Sequence, residues 1–342
     1  MKKPLLSVII PVYNTGDVVS RITNRVLKQP MRDLELVLVD DGSTDDTLSV
    51  LHQIAKQDAR VRVITQKNGG PSAARNTGLD SAKGEFVLLL DSDDDIESDM
   101  IPLMMEKQRS TNADLVTCVI KEIFLSGKTH TPNIESRSVD TAKQNVVLFA
   151  LDSMGKEGSV IYNPCNRITR RSIIVDNHLK YRLDLRFGED LAFNLEYLRY
   201  AKRIEVMNQA LYIYHCDTAT SVFSESALNH KYRQENTRFL WKFAKLSDDP
   251  AAHCLATWVQ TRWFLSYAKL VSKSNLNKEE KKRRIIHACE HEKLERPAEF
   301  KYLSKKRQLI VKLILRLIKH PNLFYRFIKT VTPLSSAIKS VL

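Results

Sequence analysis

Glycine and cysteine are both scarce in this chain, and neither is arranged as a cofactor motif. Only 10 of 342 residues are glycine, and neither GxGxxG nor GxxxxGK[ST] occurs. Dinucleotide binding of the Rossmann kind and P-loop ATP binding therefore lose their main sequence support. The five cysteines (Cys118, Cys165, Cys216, Cys254, Cys289) are odd in number and form no CxxC pair. That argues against a zinc ribbon and a disulfide framework, and a reducing cytoplasm is expected. No apolar run approaches the ~20 residues of a transmembrane helix. The opening "MKKPLLSVIIPVYN" has a leader-like look, but Pro11 and Asn14 interrupt its apolar run and no small-residue cleavage site follows. It reads better as a first β-strand. There is no internal repeat and no low-complexity segment.

What is present is an ordinary globular composition, 43% apolar and 27% charged, long enough for one large domain plus an appendage. The formal net charge of +13 is unevenly placed. Residues 1–100 carry a net −4, residues 101–200 a net +2 and residues 201–342 a net +15. The last 42 residues hold ten basic side chains and no acidic one.

The first 115 residues alternate between two periods. Apolar runs at Leu5–Ile10, Leu34–Val39, Val61–Ile64 and Phe86–Leu90 predict strands. Helical spacing at Val18–Leu27, Thr44–Ile54, Ser72–Ala82 and Ser98–Arg109 predicts helices between and after them. Such alternation predicts βαβ units and a mostly parallel sheet covered on both faces. Ligands of such sheets bind beyond the carboxyl ends of the strands. Those ends carry "PVYN", "DDGSTDD", "QKNGGPSAARN" and "DSDDD". Further on, Leu115–Phe124 and a segment near Tyr162–Ile168 read as strands, Arg171–Asn177 and Leu191–Arg199 as helices, and "RIEVM" and "ALYIYH" as two strands. Residues 128–160 are weakly patterned, and the pattern is helical from about Ser226 onward.

Each motif has a chemical and a structural reading. In "DSDD", Asp91 and Asp93 share a face if the chain is extended, which suits a hard cation such as Mg²⁺ or Mn²⁺. The same residues would also serve as a solvated turn capping the next helix. In "VDDGSTDDT", Ser43 with Asp46 resembles a capping box, while Asp40 and Asp41 at a strand end could meet a nucleobase or ribose. "NGGPSAARN" is a loop entering a helix behind Pro71; its Arg75 suits phosphate or base recognition. In "FGED", Glu189 and Asp190 either complement a helix N-terminus or supply a carboxylate general base.

Taken together, "SVIIPVYN", "LVLVDDGSTDDT", "NGGPSAARNTGLDSAKGEFVLLLDSDD" and "FGEDLAF" closely resemble bacterial family 2 glycosyltransferases in order and spacing, over about residues 5–215. The resemblance implies an α/β fold with a GT-A-type, Rossmann-like, mostly parallel sheet and flanking helices, followed by a C-terminal helical region. It implies a catalytic domain at 1–220, with a nucleotide-binding half at 1–115 and an acceptor-binding half at 116–220. Residues 221–342 would form the helical region, with a basic amphipathic tail at 301–342. It places Pro11 and Tyr13 in the loop passing the nucleotide, Asp41 against uracil and Arg75 near the nucleotide. Asp91 and Asp93 match the DxD motif, with Ser92 between them among the donor contacts and Asp93 the direct ligand of Mn²⁺ or Mg²⁺. Asp190 matches the catalytic base and Glu189 its neighbour near the acceptor. His215 lies where some relatives have a third metal or diphosphate contact and others an arginine. Asp94, Asp95, Glu97 and Asp99 are left to solvation and helix capping.

The activity this implies is inverting transfer from a nucleotide-diphosphate sugar, a UDP-sugar first, to a hydroxyl of a glycan or lipid-linked acceptor in bacterial surface polysaccharide biosynthesis. In the tail, Leu309, Ile310, Leu313, Ile314, Leu317 and Ile318 have helical spacing, with Lys305, Arg307, Lys312, Arg316 and Lys319 among them. A basic amphipathic helix of this kind fits an anionic membrane surface; it fits equally a helix packed on protein. The expected placement is cytoplasmic, peripheral on the inner face of the plasma membrane, with self-association left open. Two other classes compete. A nucleotidyltransferase lacks its glycine-rich basic loop after the first strand. A nucleic-acid-binding protein would interleave its basic residues with stacking aromatics, and here aliphatics take that place.

Overall fold

The computed structural model describes residues 3–155, 160–185, 188–216, 230–292, 294, 296 and 300–331. It divides into two compact units, residues 1–146 with 157–221, and residues 147–156 with 222–342.

The first unit is built on a ten-stranded sheet, ordered β3-β2-β1-β4-β9-β6-β10-β5, with β7 on β6 and β8 on β10. Strands β1 (Leu6–Val12), β2 (Leu34–Asp40), β3 (Val61–Thr65) and β4 (Phe86–Leu89) are parallel neighbours. Their apolar runs are continuous because helices cover the sheet; every residue of β2 is buried. Helices α1 (Val19–Leu27), α2 (Thr47–Gln57) and α3 (Pro71–Ser81) lie between them in sequence, and α4 (Met100–Thr111) follows. Val19, Ile22 and Val26 of α1 repeat at helical spacing and are buried. Truncating Ile22 to alanine would cost about 2–5 kcal/mol.

The expectation of a mostly parallel sheet holds for these four strands and for the long strand pair beyond them, to which shorter antiparallel strands are added. Strand β9 (Arg167–Arg170) runs antiparallel to both β4 and β6 (Leu115–Phe124). Strand β10 (Arg203–Cys216) is parallel to β6 but antiparallel to β5 (Asp95–Ile96) and β8 (Arg137–Asp140). "RIEVM" and "ALYIYH" are one strand, not two. The exposed pair Asn208 and Gln209 between them is absorbed by register shifts rather than a turn. The weakly patterned region holds β7 (Thr129–His130), β8 and helix α5 (Val146–Met154). Helices α6 (Arg171–Asp176) and α7 (Glu189–Leu198) complete this part of the chain.

Helix α3 is pressed against the sheet at Gly78, where an added Cβ would sit 2.2 Å from Ile9 Cγ2. That approach carries Arg75, one turn earlier on the same face, into the sheet's edge. The predicted capping box at Ser43 and Asp46 does not form. Helix α2 starts at Thr47, whose N–H is held by the Asp45 carboxylate (3.0 Å). Ser43 Oγ and Thr44 instead bind Asn14 of the neighbouring loop.

The second unit is helical. It holds α5 together with α8 (His230–Ala244), α9 (Pro250–Lys273), α10 (Lys278–His291), α11 (Lys305–Leu317) and α12 (Pro321–Val331). Trp258 of α9 donates its indole N–H to the Gly155 carbonyl (3.0 Å), and Arg307 of α11 bonds Asp152 of α5 (3.1 Å). Those contacts draw α5 away from the chain around it. Among the described residues no helix is long and apolar enough to cross a membrane.

Candidate active site

The loops after β1, β2 and β4 leave the sheet at one edge, because the three strands are parallel. The first two loops are stapled together. Thr47 Oγ1 accepts from the N–H groups of Thr15 (2.9 Å) and Gly16 (2.8 Å), and Asn14 Oδ1 accepts from Thr44 N–H (2.8 Å). Pro11 is still within β1, opposite Val39. Tyr13 is 47% exposed and faces a cleft of about 750 Å³. Arg21, Ser92, Asp93, Phe124 and His215 line the same cleft.

After β4 the chain is not extended. It turns at Ser92–Asp93, and Asp94 N–H points back to the Asp91 carbonyl (3.4 Å). Asp91 and Asp93 therefore meet different neighbours. Asp93 lines the cleft with His215. Its carboxyl is pushed above the usual range by burial and then by Asp91, against Arg21 and His215. Asp91 is taken by Arg75 (3.1 Å).

Arg75 organises the rest of the site. It is 6% exposed and lies over the Tyr181 ring, 5.4 Å from its centroid. Its guanidinium also reaches Asp190 (3.0 Å) and Glu189 (3.6 Å), residues more than a hundred positions away in sequence. Burial works against the arginine's charge; Asp190 and Asp91 outweigh it. Gly188, at φ +85°, turns the chain into α7 and puts Glu189 and Asp190 in its first turn. The carboxylates of "FGED" sit at a helix N-terminus and face the buried Arg75. Asp190 is pushed up to about 7 by burial. Arg75 opposes this, and Glu189 and Asp91 add to it.

Asp41 is more occupied than a nucleobase acceptor needs to be. It is 3% exposed and accepts from Gln66 Nε2 (2.7 Å), Gly69 N–H (2.9 Å) and Gly70 N–H (2.8 Å). Three of a carboxylate's roughly four acceptor positions are in use. It fixes the loop that starts α3, where Gly70 takes a left-handed φ of +84°. Two assignments to solvation and capping are corrected. Asp94 is 1% exposed and accepts from the Tyr212 hydroxyl and His215 N–H, so it ties the DxD turn to the end of β10. Asp95 is 8% exposed and pairs with Arg25. Asp99 stands at the start of α4 without making a side-chain cap.

The set Asp91, Asp93 and His215 is not a preassembled metal site. Among the described residues no three His, Cys, Asp or Glu side chains are grouped to hold an ion. Arg75 engages Asp91, and the turn directs Asp93 elsewhere. What remains fits a divalent cation that takes most of its ligands from phosphate and water: the Asp93 carboxyl on the cleft wall, and a His215 Nε2 buried without a hydrogen-bond partner. Sequence reasoning missed Asn14, Arg21, Gln66, Tyr181 and Tyr212. Of these, Asn14 stood inside "PVYN" and Gln66 at the head of "QKNGGPSAARN".

Residues 7–176 match the family model described as Glycosyl transferase family 2. The chain belongs to glycosyltransferase family 2. Among its relatives, the uncharacterized glycosyltransferase EpsJ of Bacillus subtilis is 33% identical over 62% of this chain and 61% of its own. The poly(ribitol-phosphate) beta-glucosyltransferase of Bacillus spizizenii is 29% identical over 61% of this chain and 32% of its own. The chain spans about three fifths of the length of the first of these relatives and a third of the second. The crystal structure of S. aureus TarS 1–349 in complex with UDP-GlcNAc superimposes with a TM-score of 0.67, at 19% identity, over 96% of this chain and 92% of that one. At that identity the likeness is one of fold: a GT-A-type α/β catalytic fold followed by helices.

Proposed function

We propose that this family 2 protein is an inverting glycosyltransferase, moving a sugar from a UDP-sugar to a hydroxyl of a glycan or lipid-linked acceptor in the assembly of a bacterial surface polysaccharide. One observation carries the reading: a single buried arginine, Arg75, joins Asp91 of the DxD turn to the Glu189–Asp190 pair. The donor end and the candidate base are thereby held in one cluster. The TarS complex with UDP-GlcNAc supports a UDP-sugar donor, and the poly(ribitol-phosphate) beta-glucosyltransferase relative supports a surface-polymer acceptor.

In this reading Tyr13 and the stapled loops border the donor. Pro11 and Asp41 shape the nucleotide end, Asp41 chiefly through the Gly69–Gly70 loop. Asp93 and His215 would hold Mn²⁺ or Mg²⁺, with Asp91 and Ser92 beside them. A bound divalent ion stabilises charge developing on the departing diphosphate. Asp190, whose pKa near 7 suits proton uptake at neutral pH, takes the proton of the attacking hydroxyl. Arg75 keeps that carboxylate oriented, and Glu189 stands at the acceptor side. A single displacement inverts the anomeric configuration. The enzyme would work at the inner face of the plasma membrane.

The test is calorimetric titration of UDP, GDP and dTDP with Mn²⁺ and with EDTA, for wild type and Asp93→Asn, followed by transfer assays with the matching sugars. Metal-dependent UDP binding that Asp93→Asn weakens is expected. Tight UDP binding that ignores both the metal and the substitution would sink the donor-site assignment.

A further inference from the structure

The basic tail was open to two readings, a packed helix or a membrane helix. Helix α11 has a buried apolar face and an exposed basic one. Ile310, Val311 and Ile314 are buried. Around the other side, Lys305, Lys306, Leu309, Lys312, Leu313 and Arg316 are all exposed. Successive steps of one and three residues, with Lys305, Leu309 and Leu313 four apart, place these six on one helical stripe. Leu309 is 70% exposed and Leu313 is 41% exposed, at the middle of the cationic stripe. Lys312 stays on that stripe with its ammonium over the Phe300 ring, 5.0 Å from the centroid.

Helix α12 repeats the arrangement. Phe324 and Ile328 are buried, with the Phe324 ring 5.1 Å from that of Phe264 in α9. Leu323, at 52% exposure, Arg326 and Lys329 are exposed. The inward faces account for the folding of these helices. They leave the outward leucines without a structural task. No acidic residue occurs anywhere after Glu299, so this surface has no counter-charge in its own segment.

We infer that the outward stripe of α11, continued by Leu323, Arg326 and Lys329 of α12, is a docking surface for an anionic lipid bilayer. Charge selects the partner. Clustered lysines and arginines meet acidic headgroups, and Leu309 and Leu313 enter the headgroup–acyl boundary between them. A nucleic-acid ligand would gain nothing from protruding leucines, and a second copy of this face would bring like charges together. The inference stands on the helical unit alone and does not depend on the catalytic reading.

Vesicle co-sedimentation of the full chain tests it, with phosphatidylglycerol–phosphatidylcholine vesicles against pure phosphatidylcholine. Two variants are compared: Leu309→Ser with Leu313→Ser, and Lys305→Gln with Lys312→Gln, Arg316→Gln and Lys319→Gln. All substituted side chains are exposed, so circular dichroism should match wild type. Wild type is expected to bind the anionic vesicles selectively. The four-charge variant should lose about a hundredfold or more in partitioning, and the leucine variant about tenfold. Absence of vesicle binding, or binding that neither variant weakens, would overturn the inference. So would loss of heparin binding with the charges while vesicle binding ignores the leucines, which would mark a soluble polyanion. A shift in sedimentation coefficient in place of vesicle binding would mark a self-association face.

Discussion

The acidic run after β4 and the basic stripe of α11 are two concentrations of like charge in the chain, and they are treated in opposite ways. Three members of the acidic run are matched within the first unit, Asp91 to Arg75, Asp94 to Tyr212 and His215, and Asp95 to Arg25, while Asp93 and Asp99 stay exposed. The basic stripe is turned outward and has no acidic residue in its own segment to match it. Net charge by itself therefore says little about either. A charge cluster met internally is preparing a site, where dielectric and geometry are controlled. A cluster turned to the surface can receive a partner that brings the opposite sign.

The largest expected effect lies in the inward cluster. Asp190→Asn should retain UDP binding and lose roughly 10²–10⁴-fold in turnover; single-turnover kinetics would show this, and wild-type rates would remove Asp190 from the base role. Arg75→Met comes next. It leaves Asp91, Glu189 and Asp190 without their shared cation, and a loss of about 3 kcal/mol in urea unfolding is expected. Unchanged stability would mean that the cluster is held by something other than the arginine.

The pH dependence sharpens the same point. Asp190 works deprotonated, so kcat/KM should rise through about pH 7 and level off above it. Removing Arg75 removes the charge that favours the ionised form, and the acid limb should move to higher pH. Stability follows the reverse course. Asp190 and Asp94 are raised from 3.8 to about 7 and about 8, so the native state holds more protons than the unfolded state across that interval. Their contribution is complete below about pH 4 and is lost as pH rises toward 8. Asp94→Asn should flatten that slope in thermal unfolding. The smallest effect belongs to the outward stripe. Its four-charge variant should unfold within about 0.5 kcal/mol of wild type, whereas its attraction to anionic vesicles should fall steeply with salt in the unsubstituted protein.

The strands and helices of the first 115 residues were legible because each obeys one period throughout. The order in which the later strands enter the sheet was not. Strand β9 inserts between β4 and β6 in reversed direction, and a four-residue strand carries no directional signal. The membership of α5 in the helical unit rests on Trp258 and Arg307, both more than a hundred residues away. At the site, spacing located Asp91, Asp93, Glu189 and Asp190 but not the arginine bond between them. It assigned Asp94 to solvent because a string of acids looks solvated, while the turn at Ser92–Asp93 sends that side chain inward. Tyr181 and Tyr212, which flank the cluster, stand in no motif.

The staple between the first two loops has a consequence for motion. Asn14, Thr15 and Gly16 are bound to Ser43, Thr44 and Thr47 through side chains as well as backbone. Neither loop can open without breaking the other's contacts, so their amides should exchange with deuterium as one cooperative group. The lip of the cleft then enters a binding event already ordered, and little conformational entropy is left to lose there. Thr47→Val, which keeps the shape of the side chain and deletes its acceptor, should set the two loops exchanging independently.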